Sequence, residues 1–199
     1  DQCLFVGNFT AALLDITLPD AQKKLRKIKF AWDRLPKIVR DAFPLKKKGQ
    51  TEWMWENGSS VYCAVSSRGG TTNLLHVSEL GKISARFPMR AKEIVTGAFE
   101  SVSKDGVIIV ESTAEGAAGA FFDISTEARN AALEKRKETN LDFRLHFFPW
   151  YGSAEYTLDP EGVHIAEPLK AYFRELQAKQ EITLTPGQMA WYAVKRRTL

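Results

Sequence analysis

The chain has 199 residues, enough for one domain of ordinary size or one domain with a small appendage. Its 44% hydrophobic and 26% charged residues exclude a disordered segment, and no apolar run approaches the roughly 18 residues of a membrane span. The net charge of +4 permits contact with nucleic acid without requiring it; Cys3 and Cys63 are too few for a disulfide framework and have no metal-ligand spacing, and the first residues lack the basic stretch of a secretory leader, so a reducing cytosol is expected.

Residues 11–16 form a short apolar run that reads as a strand, followed by the turn Leu18-Pro19-Asp20. A helix is expected to start near Asp20, which can cap it or sit in its first turn. Leu25, Ile28, Trp32 and Leu35 recur at three- and four-residue spacing and make one apolar stripe. Pro36 ends that pattern or opens a new turn with Ile38 and Val39; Phe43-Pro44 and the lysines 46–48 read as a loop. Asn57-Gly58 is a strong hairpin signal, because both residues tolerate the positive φ of a type I′ turn. Trp53 and Trp55, two apart, share one face of the first hairpin strand, where packing against a sheet is favoured over stacking on bases.

The loop 68–72 leads into a strand at 74–77, and 82–88 reads as irregular. A helix over about 89–102 follows, with Ile94, Val95, Ala98 and Phe99 turned inward. Asp105-Gly106 makes the turn into a strand at 107–110. Gly116 and Gly119 precede another helix, with Phe121, Phe122, Ile124, Ala128 and Ala132 inward, that ends in the charged run 134–138. Residues 143–148 read as a further strand, closed by Pro149-Trp150-Tyr151. Two helices complete the chain, at about 167–178 and 186–196, the second opening on Thr185-Pro186. Strands separated by helical patterns imply right-handed βαβ units. The fold class is therefore α/β, a mostly parallel sheet flanked by helices with an added β-hairpin, in a single domain 1–199.

Two apolar runs stop at polar residues, the first at Ser78-Glu79 and the second at Glu111-Ser112-Thr113. Runs of this kind read as buried parallel strands, and in such sheets chemistry collects at the carboxyl ends. The stretch 68–116 thus has the form of the middle of a nucleotide-hydrolysing α/β core. Glu111 and Glu115 could pair for general acid–base work, but a glycosidase would also need a sugar cleft and a fixed separation. His76, mid-strand, is read as a packing residue. Basic residues gather at 23–29, 46–48 and 195–197, and each run taken singly reads as a solvated surface.

The segments GTTNLLHVSELGKI and VIIVESTAEGAAGAFFDI, with the helix between them, resemble the ATPase domain of the large subunit of phage terminases, the motors that drive DNA into proheads. ENGSSVYCAVSSRGG, FRLHFFPWYGSAEY and LTPGQMAWYAVKRR resemble further parts of it in the same order, so the resemblance covers roughly residues 10–197. It implies a RecA-like P-loop NTPase core of the ASCE type. Glu79 then matches the catalytic glutamate of the Walker B element, which polarises the attacking water, and Ser78 stands where many members carry the magnesium-holding aspartate. The same match puts Ser112 and Thr113, with Glu115, in the coupling motif that senses the γ-phosphate. Arg68 matches an arginine that reaches a neighbouring subunit's nucleotide; the alternatives are a solvated or salt-bridged loop arginine for Arg68 and a solvated or helix-capping glutamate for Glu79.

No GxxxxGK[ST] phosphate loop occurs in the sequence, nor an acidic cluster for the family's nuclease domain. The expectation is a partial ATPase domain, inactive alone, in which ATP and Mg²⁺ bind only together with the missing loop. The family implies double-stranded DNA, the portal protein and the terminase small subunit as partners, a ring oligomer, no membrane, and the cytoplasm of a bacterial host. The alternative is a non-catalytic DNA- or protein-binding module on the same kind of sheet.

Overall fold

Thr10–Leu14 (β1) is almost wholly apolar, and a strand of that kind is stable only where both faces are covered. In the computed structural model, which describes residues 1–67 and 69–197, it lies inside a six-stranded sheet. The described chain divides into two compact units, Asp1–Leu145 and His146–Leu199. The other strands, all in the first unit, are β2 (Leu45–Lys48), β3 (Glu52–Trp55), β4 (Ser60–Ala64), β5 (Thr72–Ser78) and β6 (Val102–Glu111), in the order β2-β3-β4-β1-β5-β6. The pairs β4–β1, β1–β5 and β5–β6 are parallel, and β2–β3 and β3–β4 antiparallel. The expected α/β class and mostly parallel sheet are what the structure has.

Because side chains alternate along a strand, β1 serves two cores. Ala11 and Leu13 join Val61, Cys63, Trp53 and Trp55 beneath a long helix, α2 (Leu18–Asp33), which follows the short α1 (Gln2–Phe5). Ala12 and Leu14 join Leu75, Val77, Leu80 and Ile83 on the opposite face. Thr17 caps α2, its hydroxyl accepting from the Asp20 amide at 3.3 Å, and Asp20 sits in the first turn. Leu25 and Trp32 of the stripe are buried, while Ile28 and Leu35 are partly so. Pro36 opens α3 (Lys37–Ala42).

The hairpin forms at Asn57-Gly58 with a different turn from the one expected. Only Gly58 has positive φ, at +82°; its amide donates to Trp55 O at 3.1 Å, and the Trp55 amide to Ser59 O at 2.9 Å. This is a type I turn closed by a glycine bulge, and Asn57 joins it by accepting from the Ser59 amide through its side chain. Both tryptophans pack in the core as expected; Trp55 meets Trp32 edge-on at 6.0 Å. The lysines 46–48, read as a loop, belong to edge strand β2. Nothing in their local pattern predicts that, because the backbone of β3 creates the strand, and lysine is a common guard on sheet edges.

Residues 82–88, expected to be irregular, are largely α4 (Leu80–Arg86), which starts at the end of β5. The helix expected over 89–102 is shorter: α5 (Pro88–Glu93) runs into a π turn, Ile94–Ala98, and β6 begins at Val102. Asp105-Gly106 is therefore no turn between elements but lies within β6, near a register shift against β5. In α6 (Ala120–Leu133), Phe121, Ile124 and Ala128 pack inward, whereas Phe122 and Ala132 face solvent. Residues 143–148 form no strand, and Phe147 and Phe148 are 74% and 88% exposed. A strand needs a hydrogen-bonding neighbour, and among the described residues none pairs with this segment. β6 is the other edge of the sheet: Ile108 and Val110 pack into the core, but Val107 and Ile109 on the opposite face are 51% and 46% exposed.

The second unit holds a 3₁₀ turn (Trp150–Gly152), α7 (Glu167–Gln180) and α8 (Pro186–Arg196), the last opened by a capping box between Thr185 and Gln188. Its core is aromatic. Trp191 stacks on Tyr156 at 4.4 Å and on Trp150 at 6.0 Å, and Tyr192 packs on Trp150, Tyr172 and Phe173. Burial, with the Tyr172 hydroxyl beside it, pushes the Tyr192 phenol above its ordinary range. No described helix is long and apolar enough to cross a membrane.

Candidate functional site

The parallel register sets Ser78 opposite Glu111 at the carboxyl ends of β5 and β6. Ser78 is buried, and its hydroxyl donates to Glu111 Oε1 at 2.9 Å. His76, one pleat back on the same face of β5, places Nε2 3.2 Å from that same oxygen. The histidine expected only to pack thus meets a carboxylate. Glu111, 56% exposed at its side chain, carries the negative charge that the Ser78 position lacks.

Glu79 makes the corner from β5 into α4. Its backbone is left-handed, with φ +58° and ψ +37°, an uncommon state for a residue bearing a Cβ and one that costs roughly 1 kcal/mol or more. The corner is held at both ends: the Glu79 amide donates to Glu111 O at 2.7 Å, and its carbonyl accepts from the Ile83 amide at 2.9 Å. Lys82 Nζ lies 3.1 Å from Glu79 Oε2. That oxygen is shut off from solvent yet has no hydrogen-bond partner, so the ammonium balances its charge without the angle for a hydrogen bond.

Ser112 is tied to the same corner. Its hydroxyl accepts from the Gly81 amide at 3.0 Å and donates to Thr113 O at 2.8 Å. Only glycine fits at 81, because a Cβ there would stand 2.8 Å from Ser112 Oγ and 2.9 Å from Thr113 O. The loop after β6 therefore rests directly on the first turn of α4. Thr113 and Glu115 follow in that loop, both exposed, and neither makes a side-chain hydrogen bond or ion pair among the described residues. Glu111 is engaged by Ser78 and His76 rather than left free as half of an acid–base pair. Arg68 lies outside the described residues.

The sequence reading missed Asp15, at the carboxyl end of β1 beside β5. Its carboxylate is buried, accepts from the Ile16 amide at 2.7 Å, and holds Lys24 of α2 at 2.5 Å. The visible signal was an acid ending the apolar run that makes β1. Ser78, Glu79, Glu111 and Ser112 meet at one corner, with Asp15 ending the adjacent strand.

No three His, Cys, Asp or Glu residues among those described are grouped so as to hold a metal ion. One carboxylate engaged by a serine and a histidine, one lysine-paired carboxylate and a hydroxyl suit a magnesium ion only of the kind held largely by phosphate oxygens and water. Such groups can order a metal–phosphate complex but do not make a cation site alone.

The fold and corner define an α/β protein whose polar groups collect at the carboxyl ends of central parallel strands. Among solved structures, the crystal structure of the HK97 bacteriophage large terminase matches 98% of this chain, with a TM-score of 0.57 and 13% sequence identity. The chain spans 37% of that protein's length. At this identity the likeness establishes the fold, and it agrees with the resemblance to terminase large subunits seen in the sequence. No family model matches the chain, and no curated protein does.

Proposed function

We propose that the chain is part of a phage terminase large subunit and forms the hydrolysis-and-coupling half of its ATPase site. The observation that carries this reading is the corner itself: a strained glutamate at the end of a parallel strand, hydrogen-bonded through its amide to the neighbouring strand end. Strained backbone of this kind concentrates at functional sites. In this reading Glu79 polarises the attacking water, and releasing Lys82 frees its carboxylate for that work. Ser78 and Glu79 would hold a magnesium ion through its water shell, with Glu111 supplying charge through Ser78. The bound ion would neutralise charge on the phosphates. Ser112, Thr113 and Glu115 respond to the γ-phosphate, and breaking the Ser112–Gly81 bond passes that response to α4. Arg68 acts on a neighbouring subunit's nucleotide in a ring.

The phosphate-gripping loop belongs to a segment outside this sequence, and the open edge and bare apolar face of β6 are compatible with an element docking there. Double-stranded DNA, the portal protein and the terminase small subunit are the partners of the assembled motor, in the host cytoplasm. The 199-residue chain is expected to hydrolyse ATP no faster than its Glu79→Ala variant. In a longer chain that includes the phosphate loop, the same substitution should lower turnover by about 10²–10⁴-fold, the range for loss of a general base. Magnesium-dependent turnover by the short chain that is lost in Glu79→Ala would overturn the reading that the phosphate loop is missing, whereas full activity of the long variant would remove Glu79 from its role. One observation favours a binding module instead: the Ser112 hydroxyl is already satisfied within the protein.

A further inference from the structure

Two basic runs far apart in sequence meet in the first unit. Gln22, Leu25, Arg26 and Lys29 of α2 form one wall of a groove whose other side is Lys48, Gly49, Gln50 and Trp53. Four of its side chains, Gln22, Arg26, Lys29 and Gln50, make no hydrogen bond or ion pair among the described residues. Lys48 is placed by Asp33 at 3.1 Å and by the Trp53 ring, 4.9 Å from its centroid. Strand pairing decides which lysine belongs here. Lys48 is opposite Trp53 and shares its face, whereas Lys47 is opposite Met54 on the other face and is held by Glu52 at 2.5 Å.

The structure assigns this groove to the phosphate backbone of duplex nucleic acid. Residues 22, 26 and 29 rise about 10 Å along α2, the axial distance over which one strand of a duplex presents roughly three phosphates. Guanidinium, ammonium and amide groups donate to phosphate oxygens without reading sequence. The groove's one aromatic residue, Trp53, is 2% exposed, so no ring is offered for stacking on unpaired bases. The groove shares no lining residue with the Glu79 corner, and binding there requires no nucleotide hydrolysis.

The test is binding of a mixed-sequence 20-base-pair duplex by the chain without ATP, followed by fluorescence anisotropy over a range of salt. Arg26→Ala/Lys29→Ala/Lys48→Ala should weaken binding at least tenfold at low salt and flatten the log–log salt slope by about 2–3, near 0.9 per lost phosphate contact. Arg26→Ala/Lys29→Ala, which leaves Lys48 on Trp53 and Asp33, should produce about two thirds of that change. Lys46→Ala/Lys47→Ala should change affinity less than twofold. No binding by the unaltered chain, equal losses in the groove and control variants, or equally tight binding of polyglutamate would overturn the assignment.

Discussion

Glu79 combines a left-handed backbone with a carboxylate whose inner oxygen is buried without a hydrogen bond. Neither property stabilises the chain, so the position separates stability from use. Replacing Glu79 with glycine relieves the backbone cost, while replacing it with alanine does not. Glu79→Gly should be more stable than Glu79→Ala by about 1 kcal/mol in urea titration. Equal stability would show that the corner is unstrained. Asp15 illustrates the opposite case, a buried carboxylate satisfied by a backbone amide and by Lys24 that anchors the start of α2.

At the scale of elements, α2 is the best-specified piece. Its apolar stripe, the threonine cap and an acid in the first turn all point to one helix. The Lys23 ammonium and then the Thr17 hydroxyl hold the Asp20 carboxyl below its usual range. A depressed carboxyl contributes stability that is present above its unfolded pKa and lost as pH falls through its folded value. The helix should therefore lose support below about pH 4. Thermal melts of Asp20→Asn should lack that acid-side component, and an unchanged acid limb would remove Asp20 from it. The lysine strand and residues 143–148 failed as sequence readings for the same reason in opposite directions. Lys46-Lys47-Lys48 are a poor local strand given a partner by β3; the alternating FRLHFF is a good local strand without one.

At the scale of the whole molecule, the described chain comprises two units, each with its own core, aliphatic with buried tryptophans in the first and aromatic in the second. Between the end of α6 and the 3₁₀ turn at Trp150 there is no helix or strand, and Leu141 is 93% exposed. Limited trypsin treatment should cut first at Lys135, Arg136, Lys137 or Arg144 and release a fragment of each unit. Early cleavage within α2 or α8 instead would contradict this distribution of order. The closing motifs of the sequence also gain a physical meaning at this scale: the tryptophans of FFPWY and GQMAWY stack on one another, and Gln188 Nε2 donates to Tyr151 O at 2.8 Å.

The sequence by itself determined the α/β class, the strands β1, β4 and β5, the two tryptophans that face the core, and the corner at Ser78-Glu79, because these depend on periodicity and punctuation within a few residues. It also carried the likeness to terminase large subunits that the fold then matched. Only the tertiary structure decided that Ser78 faces Glu111, that Ser112 presses on Gly81, and that Lys48 rather than Lys47 joins Arg26 and Lys29. Those pairings join residues about 20 to 30 positions apart. They are fixed by strand register and by the packing of α2 across the sheet, and one residue of register would turn each side chain to the opposite face.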